Sequence, residues 1–198
     1  YIIVSNPVDI LTYTFNRRSG VPESNIIGSG TILDTARLRS RIAEFYNINQ
    51  KNVHAYVMGE HGDSSFIPWS LANISNVPVA DYSRFVSGPN MERTQLDFDE
   101  IETYVHKSGA RVIERKGATF YAVSVSVCHI CRCLLSNLGS TLTVSTMMHG
   151  EYGIDDVCLS VLNMVGSGGL LGKVLPPLTD DEAARLRHSA DCLKDVIR

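Results

Sequence analysis

Three apolar runs in the last third of the chain, Leu142–Met148, Val157–Val165 and Leu170–Leu175, are separated only by glycine-rich turns at Gly150–Gly153 and Gly166–Gly169. Turns of this kind join antiparallel neighbours, so the spacing predicts a three-stranded meander. Helical patterns surround it. The chain closes on a helix opened by Thr179-Asp180-Asp181-Glu182, a capping-box signature, with Leu186, Ala190, Leu193 and Ile197 as its buried stripe. Ile101–Lys116 reads as an amphipathic helix on Ile101, Val105 and Val112, with Gly109 a weak point inside it. Gly117 breaks that run before a second helix whose expected stripe is Val123, Val127, Cys131, Leu134 and Leu138.

The first third reads differently. Tyr1-Ile2-Ile3-Val4 is a continuous apolar run ending in Ser5-Asn6-Pro7, the pattern of a buried parallel strand with its carboxyl end at a turn. A helix is expected from Val8 to Arg18, stopped by Ser19-Gly20 and Pro22, followed by a short strand at Ile26-Ile27. Thr31 to Tyr46 has helical periodicity on Leu38, Ile42 and Phe45, and Val53–Met58 alternates like a strand. Phe66–Leu71 and Val77–Val79 read as short extended pieces, and acidic, polar Met91–Glu100 as a mobile surface segment. The fold class expected is α/β: the end of a parallel unit followed by one mixed α+β domain. A natural chain rarely begins inside a core strand, so a longer parent is expected.

Composition removes several functions. Hydrophobic residues make up 44% and charged residues 20% of 198 positions, ordinary for a globular chain with one good core. A formal net charge of −3 and the lack of a Lys/Arg run offer nothing to nucleic acid. No apolar segment is long enough to cross a bilayer and no secretory leader pattern opens the chain, so a membrane role is not expected. Five cysteines include the tempting run Cys128-His129-Ile130-Cys131-Arg132-Cys133, but the second pair that closes a zinc site is missing. No metal site is expected. Reduced thiols acting as small apolar residues fit a cytoplasmic home.

Two stretches carry the chemistry. Asp34 and Arg37 sit three apart on a helix and share a face, whereas Arg39 is about 200° around from Arg37 and points elsewhere. On spacing alone all three read as solvated helix charges. Gly59-Glu60-His61-Gly62-Asp63-Ser64 holds an imidazole between glycines, where tight turning can leave it exposed at a cleft. A carboxylate on one ring nitrogen would fix the tautomer and leave the other nitrogen for a substrate oxygen. His61 is also open to a structural role, and no HExxH pattern supports a metal. Asn6 follows a strand end, where ligands of α/β sheets collect. Its other reading is a turn residue before Pro7, with the Asn6-Pro7 bond a candidate for the cis form.

Ser5-Asn6-Pro7-Val8-Asp9-Ile10-Leu11-Thr12, Gly28-Ser29-Gly30-Thr31-Ile32-Leu33-Asp34-Thr35-Ala36-Arg37 and Gly59–Ser64 occur in this order, with Lys116-Gly117-Ala118-Thr119 and Val144-Ser145-Thr146 further on. On these motifs the chain resembles the L-lactate dehydrogenases, within the wider lactate/malate dehydrogenase family. The resemblance implies residues 1–28 as the last elements of an NAD-binding Rossmann domain and residues 29–198 as the catalytic α+β domain. It implies His61 as proton donor and acceptor, Asp34 as its orienting partner, and Arg37 as a two-pronged grip on the substrate carboxylate. Asn6 would touch the substrate oxygen near the nicotinamide of NAD, Ser29 would sit by the carboxamide, and Thr119 would mark lactate rather than malate as substrate.

The resemblance implies more about partners. Bacterial members activated by fructose 1,6-bisphosphate carry an arginine and a histidine where this chain has Arg39 and His54, so two subunits of a homotetramer are expected to gather one bisphosphate there. The glycine-rich dinucleotide turn, the ribose-binding acid and the loop that selects lactate over malate have no counterpart in this sequence, since Gly166-Ser167-Gly168-Gly169 lies between strands. The chain alone is therefore expected not to turn over. Ser108-Gly109-Ala110 stands where many relatives carry two alanines and a tyrosine, which predicts a wider pocket; Leu162 replaces a common proline. Malate or another 2-hydroxy acid as substrate, and a folding and oligomerisation fragment without catalysis, are the alternatives.

Overall fold

The computed structural model describes residues 1–88 and 95–197. Its strands and α-helices run β1 (Ile2–Ile3), α1 (Val8–Ser19), β2 (Ile27–Gly28), α2 (Ile32–Phe45), β3 (Val53–His54), β4 (Asn73–Ile74), β5 (Val77–Pro78), α3 (Val79–Phe85), α4 (Phe98–Lys116), α5 (Tyr121–Leu134), β6 (Ser140–His149), β7 (Asp155–Gly166), β8 (Gly169–Val174) and α6 (Asp180–Ile197). The meander forms as expected. β6, β7 and β8 pair antiparallel in register, Val144 facing Val161 and Leu162 facing Val174. Leu142–Met148 and Val157–Asn163 are buried without interruption, and because successive side chains point to opposite faces, both faces of these strands are covered.

β1 and β2 extend this sheet, giving the order β1-β2-β6-β7-β8, with β1 parallel to β2 and β2 antiparallel to β6. The sheet runs unbroken past residue 28. β1 is parallel as expected but only half-buried, because it lies at the edge. Its carboxyl end leads through Asn6-Pro7, a cis peptide bond, into α1, which stops at Gly20 with φ of 68°. A smaller antiparallel sheet, β3-β4-β5, packs beside α2 and α4 around Leu38, Ile42, Val53, Ile74, Ile101 and Val105.

Capping chemistry places α6. The Thr179 amide donates to Glu182 Oε2 at 3.0 Å while the Glu182 amide donates to Thr179 Oγ1 at 3.3 Å, the reciprocal pair of a capping box. The same carboxylate receives the amide and hydroxyl of Ser70 at 2.9 and 2.6 Å, tying the helix start to a distant loop. Leu186, Ala190 and Leu193 then bury against Met58, Phe66 and the β7 residues Val157, Leu159 and Val161.

Four expectations shift. Val53–Met58 forms a strand only at its first two residues, with one further bridge from Met58 to Phe66, although Ala55, Val57 and Met58 are fully buried. Side chains of the α2 region take the bonds that a neighbouring strand would make: the Thr31 hydroxyl donates to Val57 O, the Val57 amide donates to Thr35 Oγ1, and Arg39 Nε donates to Ala55 O. Trp69–Leu71, expected to be extended, forms a 3₁₀ turn. On α5 the buried residues are Ile130 and Cys133, packed on Leu142, Val144 and Val165; Leu138 lies past the helix end and is exposed, as is Cys128. That helix is apolar nearly all round, so periodicity alone does not choose its inner face. Of the Met91–Glu100 segment, residues 91–94 lie outside the described residues, while Leu96 is buried and Phe98 opens α4.

Candidate functional site

The loop after Met58 is pinned from three directions. Gly59 exchanges both backbone hydrogen bonds with Ser160 on β7 at 2.9 Å. It can do so because its φ is +93°, and a Cβ there would collide with Ser189 of α6. The Ser189 hydroxyl accepts the Glu60 amide at 2.7 Å, and Asp9 Oδ2 of α1 accepts the His61 amide at 2.7 Å. A short loop with its main chain fixed by β7, α6 and α1 presents one side chain in one place. That side chain is His61.

α2 delivers the partners. Its first turn lies close against the sheet because Gly30, at φ +50°, leaves no Cβ to strike Ser160 and Ser145. The Thr31 amide then donates to Ser160 Oγ at 3.0 Å. Asp34, buried, points one oxygen at His61 Nδ1 (2.6 Å) and the other at Arg37 Nη1 (3.2 Å). The sequence paired these three across 27 positions, and the fold brings them into one cluster. The Asp34 hydrogen bond raises the His61 pKa above its ordinary value; burial and the Arg37 charge pull against it, and the Asp34 and Asp9 charges add to the rise. With Nδ1 engaged by Asp34, Nε2 is the nitrogen left to face a ligand.

A cleft of about 130 Å³ opens beside the imidazole, lined by Asn6, Ser29, Arg37, His61, Gly109 and Thr119 with apolar Ile32, Leu33, Ile113 and Val123. Every residue singled out from the sequence as touching substrate or nicotinamide lines this one space. Gly109 lies in α4 at its wall, and a Cβ there would meet nothing within 4 Å, so the cleft has spare room on that side. Thr119 does not cap α5; the helix has no side-chain cap, which leaves the hydroxyl for the cleft.

Arg39 leaves in another direction, as its helical position requires. Its guanidinium is over half buried, donates to Ala55 O at 2.9 Å and lies 4.8 Å from the centre of the Tyr56 ring, with no carboxylate paired to it among the described residues. Burial lowers its pKa. It lines a second cleft of about 210 Å³ with Thr35, Gln50, Tyr56, His129 and Thr143. His54, exposed on β3, is not part of that cleft's lining. Among the described residues no three His, Cys, Asp or Glu side chains converge as metal ligands would. No helix among them is long and apolar enough to cross a membrane.

Sequence reasoning missed Asp9 and Ser189, which hold the loop main chain. Asp9 reads locally as a first-turn acid favourable to the helix dipole, and nothing in its neighbourhood announces a partner 52 residues away.

A mixed α/β fold thus sets a carboxylate-paired imidazole beside a guanidinium in one small cleft, groups whose chemistry suits proton transfer and anion binding. The family model for the lactate/malate dehydrogenase alpha/beta C-terminal domain matches residues 31–198, and the chain belongs to that family. An L-lactate dehydrogenase of Acetivibrio thermocellus is 42% identical over 197 residues, covering 100% of this chain and 61% of the relative. That of Bacillus pumilus is likewise 42% identical, with 100% and 61% covered. Among solved structures, an L-lactate dehydrogenase from Clostridium thermocellum superposes with a TM-score of 0.89 at 39% identity, covering 99% of this chain and 63% of that one. The minor L-lactate dehydrogenase from Enterococcus mundtii, in a ligand-bound form, gives 0.91 at 34%, covering 99% and 61%. The chain spans about three fifths of the length of these relatives.

Proposed function

We propose that the chain carries the substrate side of an NAD-dependent L-lactate dehydrogenase, with residues 1–28 closing a dinucleotide-binding domain and residues 29–198 forming the catalytic domain. The observation that carries this reading is the single cleft that collects Asn6, Ser29, Arg37, His61 and Thr119 with Asp34 behind the imidazole. His61 gives its Nε2 proton to the 2-oxo group during reduction and takes it back from the 2-hydroxyl during oxidation. Asp34 holds the imidazole in that tautomer and stabilises the imidazolium. Arg37, already steadied by Asp34, offers a planar fork to the carboxylate of pyruvate or lactate, which lysine would match poorly.

The residues present fit only the nicotinamide end of the cofactor. Asn6, at the carboxyl end of β1, and Ser29, at that of β2, would hold it, in the place where parallel strands offer ligand crevices. When bound, NAD supplies the hydride acceptor and donor for the substrate carbon. The Gly166–Gly169 stretch joins β7 to β8 as a hairpin and is no phosphate turn. Thr119 and the room beside Gly109 favour a neutral 2-oxo acid side chain, of pyruvate or somewhat larger, over the second carboxylate of oxaloacetate. The test is turnover by the full natural protein with NADH on pyruvate, oxaloacetate and a branched 2-oxo acid. Preference for oxaloacetate would move the reading to malate; no turnover on any would leave a folding and oligomerisation role.

A second reading rests on Arg39. A half-buried guanidinium without a carboxylate partner among the described residues is suited to a ligand anion, and we assign it, with His54, to fructose 1,6-bisphosphate gathered between subunits of a cytoplasmic homotetramer.

A further inference from the structure

Asp9 occupies the first turn of α1, where an acidic residue normally stays in water and serves the helix dipole. Here it is 2% exposed, does not cap its helix, and spends Oδ2 on the main-chain amide of His61 at 2.7 Å. Its other oxygen has no hydrogen-bond partner of good geometry, although the equally buried Ser145 hydroxyl on β6 lies near enough to favour the charged form. A carboxylate so placed costs the fold several times what an amide of the same shape would, since burial penalises the charge and one strong donor repays only part of it. An asparagine would satisfy the same amide.

We propose that Asp9 is a positioning residue for His61: its buried carboxylate clamps the His61 main chain to the helix that begins just after Asn6 and adds a second negative charge behind the imidazole. The inference rests on His61 being the proton carrier. Asp9 follows Asn6 by three positions, so the Asp9–His61 bond ties together two cleft-lining segments, one carrying Asn6 and the other His61. Asp34 acts on the ring and Asp9 on the main chain. The two carboxylates thus fix position and rotation of one side chain independently.

The charges facing Asp9 come from the loop and the sheet. His61 favours its ionisation and Glu60 opposes it; across β7, Asp9 contributes to pushing up the Cys158 thiol. His61 in turn faces Asp34 and Asp9, which favour the imidazolium, and Arg37, which opposes it. Burial brings the Asp9 carboxyl up to about 6, still ionised at neutral pH when His61 must cycle its proton.

The test follows the His61 ring by NMR titration and its amide by hydrogen exchange in the full natural protein. In Asp9→Asn the amide oxygen still accepts the His61 N–H, so exchange protection stays while the His61 midpoint and the corresponding limb of the kcat/KM pH profile shift down. In Asp9→Ala the clamp is lost, the His61 amide exchanges fast, and kcat falls on the order of 10²-fold with a smaller change in KM. An unchanged His61 midpoint in Asp9→Asn overturns the proposal, and this variant decides the matter if the alanine protein does not fold. His61→Gln separates the two ideas. If it leaves turnover untouched, His61 is not the proton carrier, whatever the Asp9 variants do to the amide.

Discussion

Asp34 Oδ2 and His61 Nδ1 stand 2.6 Å apart, a buried acid on α2 against an imidazole on a loop 27 residues later. Because Asp34 also holds Arg37 at 3.2 Å, the proton group and the anion grip share one anchor. Neither can shift without disturbing the other.

Replacing His61 with Gln keeps a polar side chain of similar reach and removes the titrating nitrogen. Turnover of pyruvate and NADH by the full natural protein should fall about 10²- to 10⁴-fold, the usual share of a general acid. Steady-state kinetics should show KM changing much less, since the Arg37 grip remains.

Stability should fall as pH rises past neutrality. The His61 pKa is raised in the fold, first by its hydrogen bond to Asp34, so its contribution is fully present below its unfolded value of about 6.5 and is lost as pH rises through the folded value. Calorimetric Tm measured from pH 6 to pH 9 should decline, and His61→Gln should flatten that decline. An identical slope in both proteins would remove the Asp34–His61 coupling as its cause.

Gly109→Ala has two separable consequences. A Cβ at this position enters open space inside a helix, so chemical denaturation should show a gain of roughly 0.5–1 kcal/mol. The added methyl also takes volume from the cleft, so kcat/KM for a branched 2-oxo acid should drop relative to pyruvate.

Glu182→Ala leaves the Ser70 amide, the Ser70 hydroxyl and the Thr179 amide without their shared acceptor. A loss on the order of 1–3 kcal/mol is expected in urea unfolding. The Glu182 carboxyl is held below its ordinary pKa by those donors against burial, so the loss should shrink as pH falls through its folded value.

Adding fructose 1,6-bisphosphate to the full natural protein should move its pyruvate saturation curve to lower concentrations, and Arg39→Gln should abolish that response. Overlapping curves with and without the sugar bisphosphate would sink the reading of Arg39 and His54.

Local rules reach a few residues along the chain, and within that range they served well. Gly20 stops α1, Thr179 and Glu182 open α6, and the glycine turns set β6, β7 and β8 in antiparallel order. The family motifs contain Asn6, Ser29, Arg37, His61 and Thr119, all of which line the cleft. What periodicity did not choose was the inner face of α5, where apolar residues lie on several sides and only packing on Leu142, Val144 and Val165 of the sheet selects Ile130 and Cys133. Nor did it show that Ala55 and Val57 would give their main-chain bonds to the side chains of Thr31, Thr35 and Arg39. The amino-acid order determined which chemical groups exist and which helices and strands carry them. Tertiary packing alone decided that Asp9 would lose its water, reach across 52 residues and fix the His61 main chain, because burial and long-range hydrogen bonds exist only once separate elements are in contact.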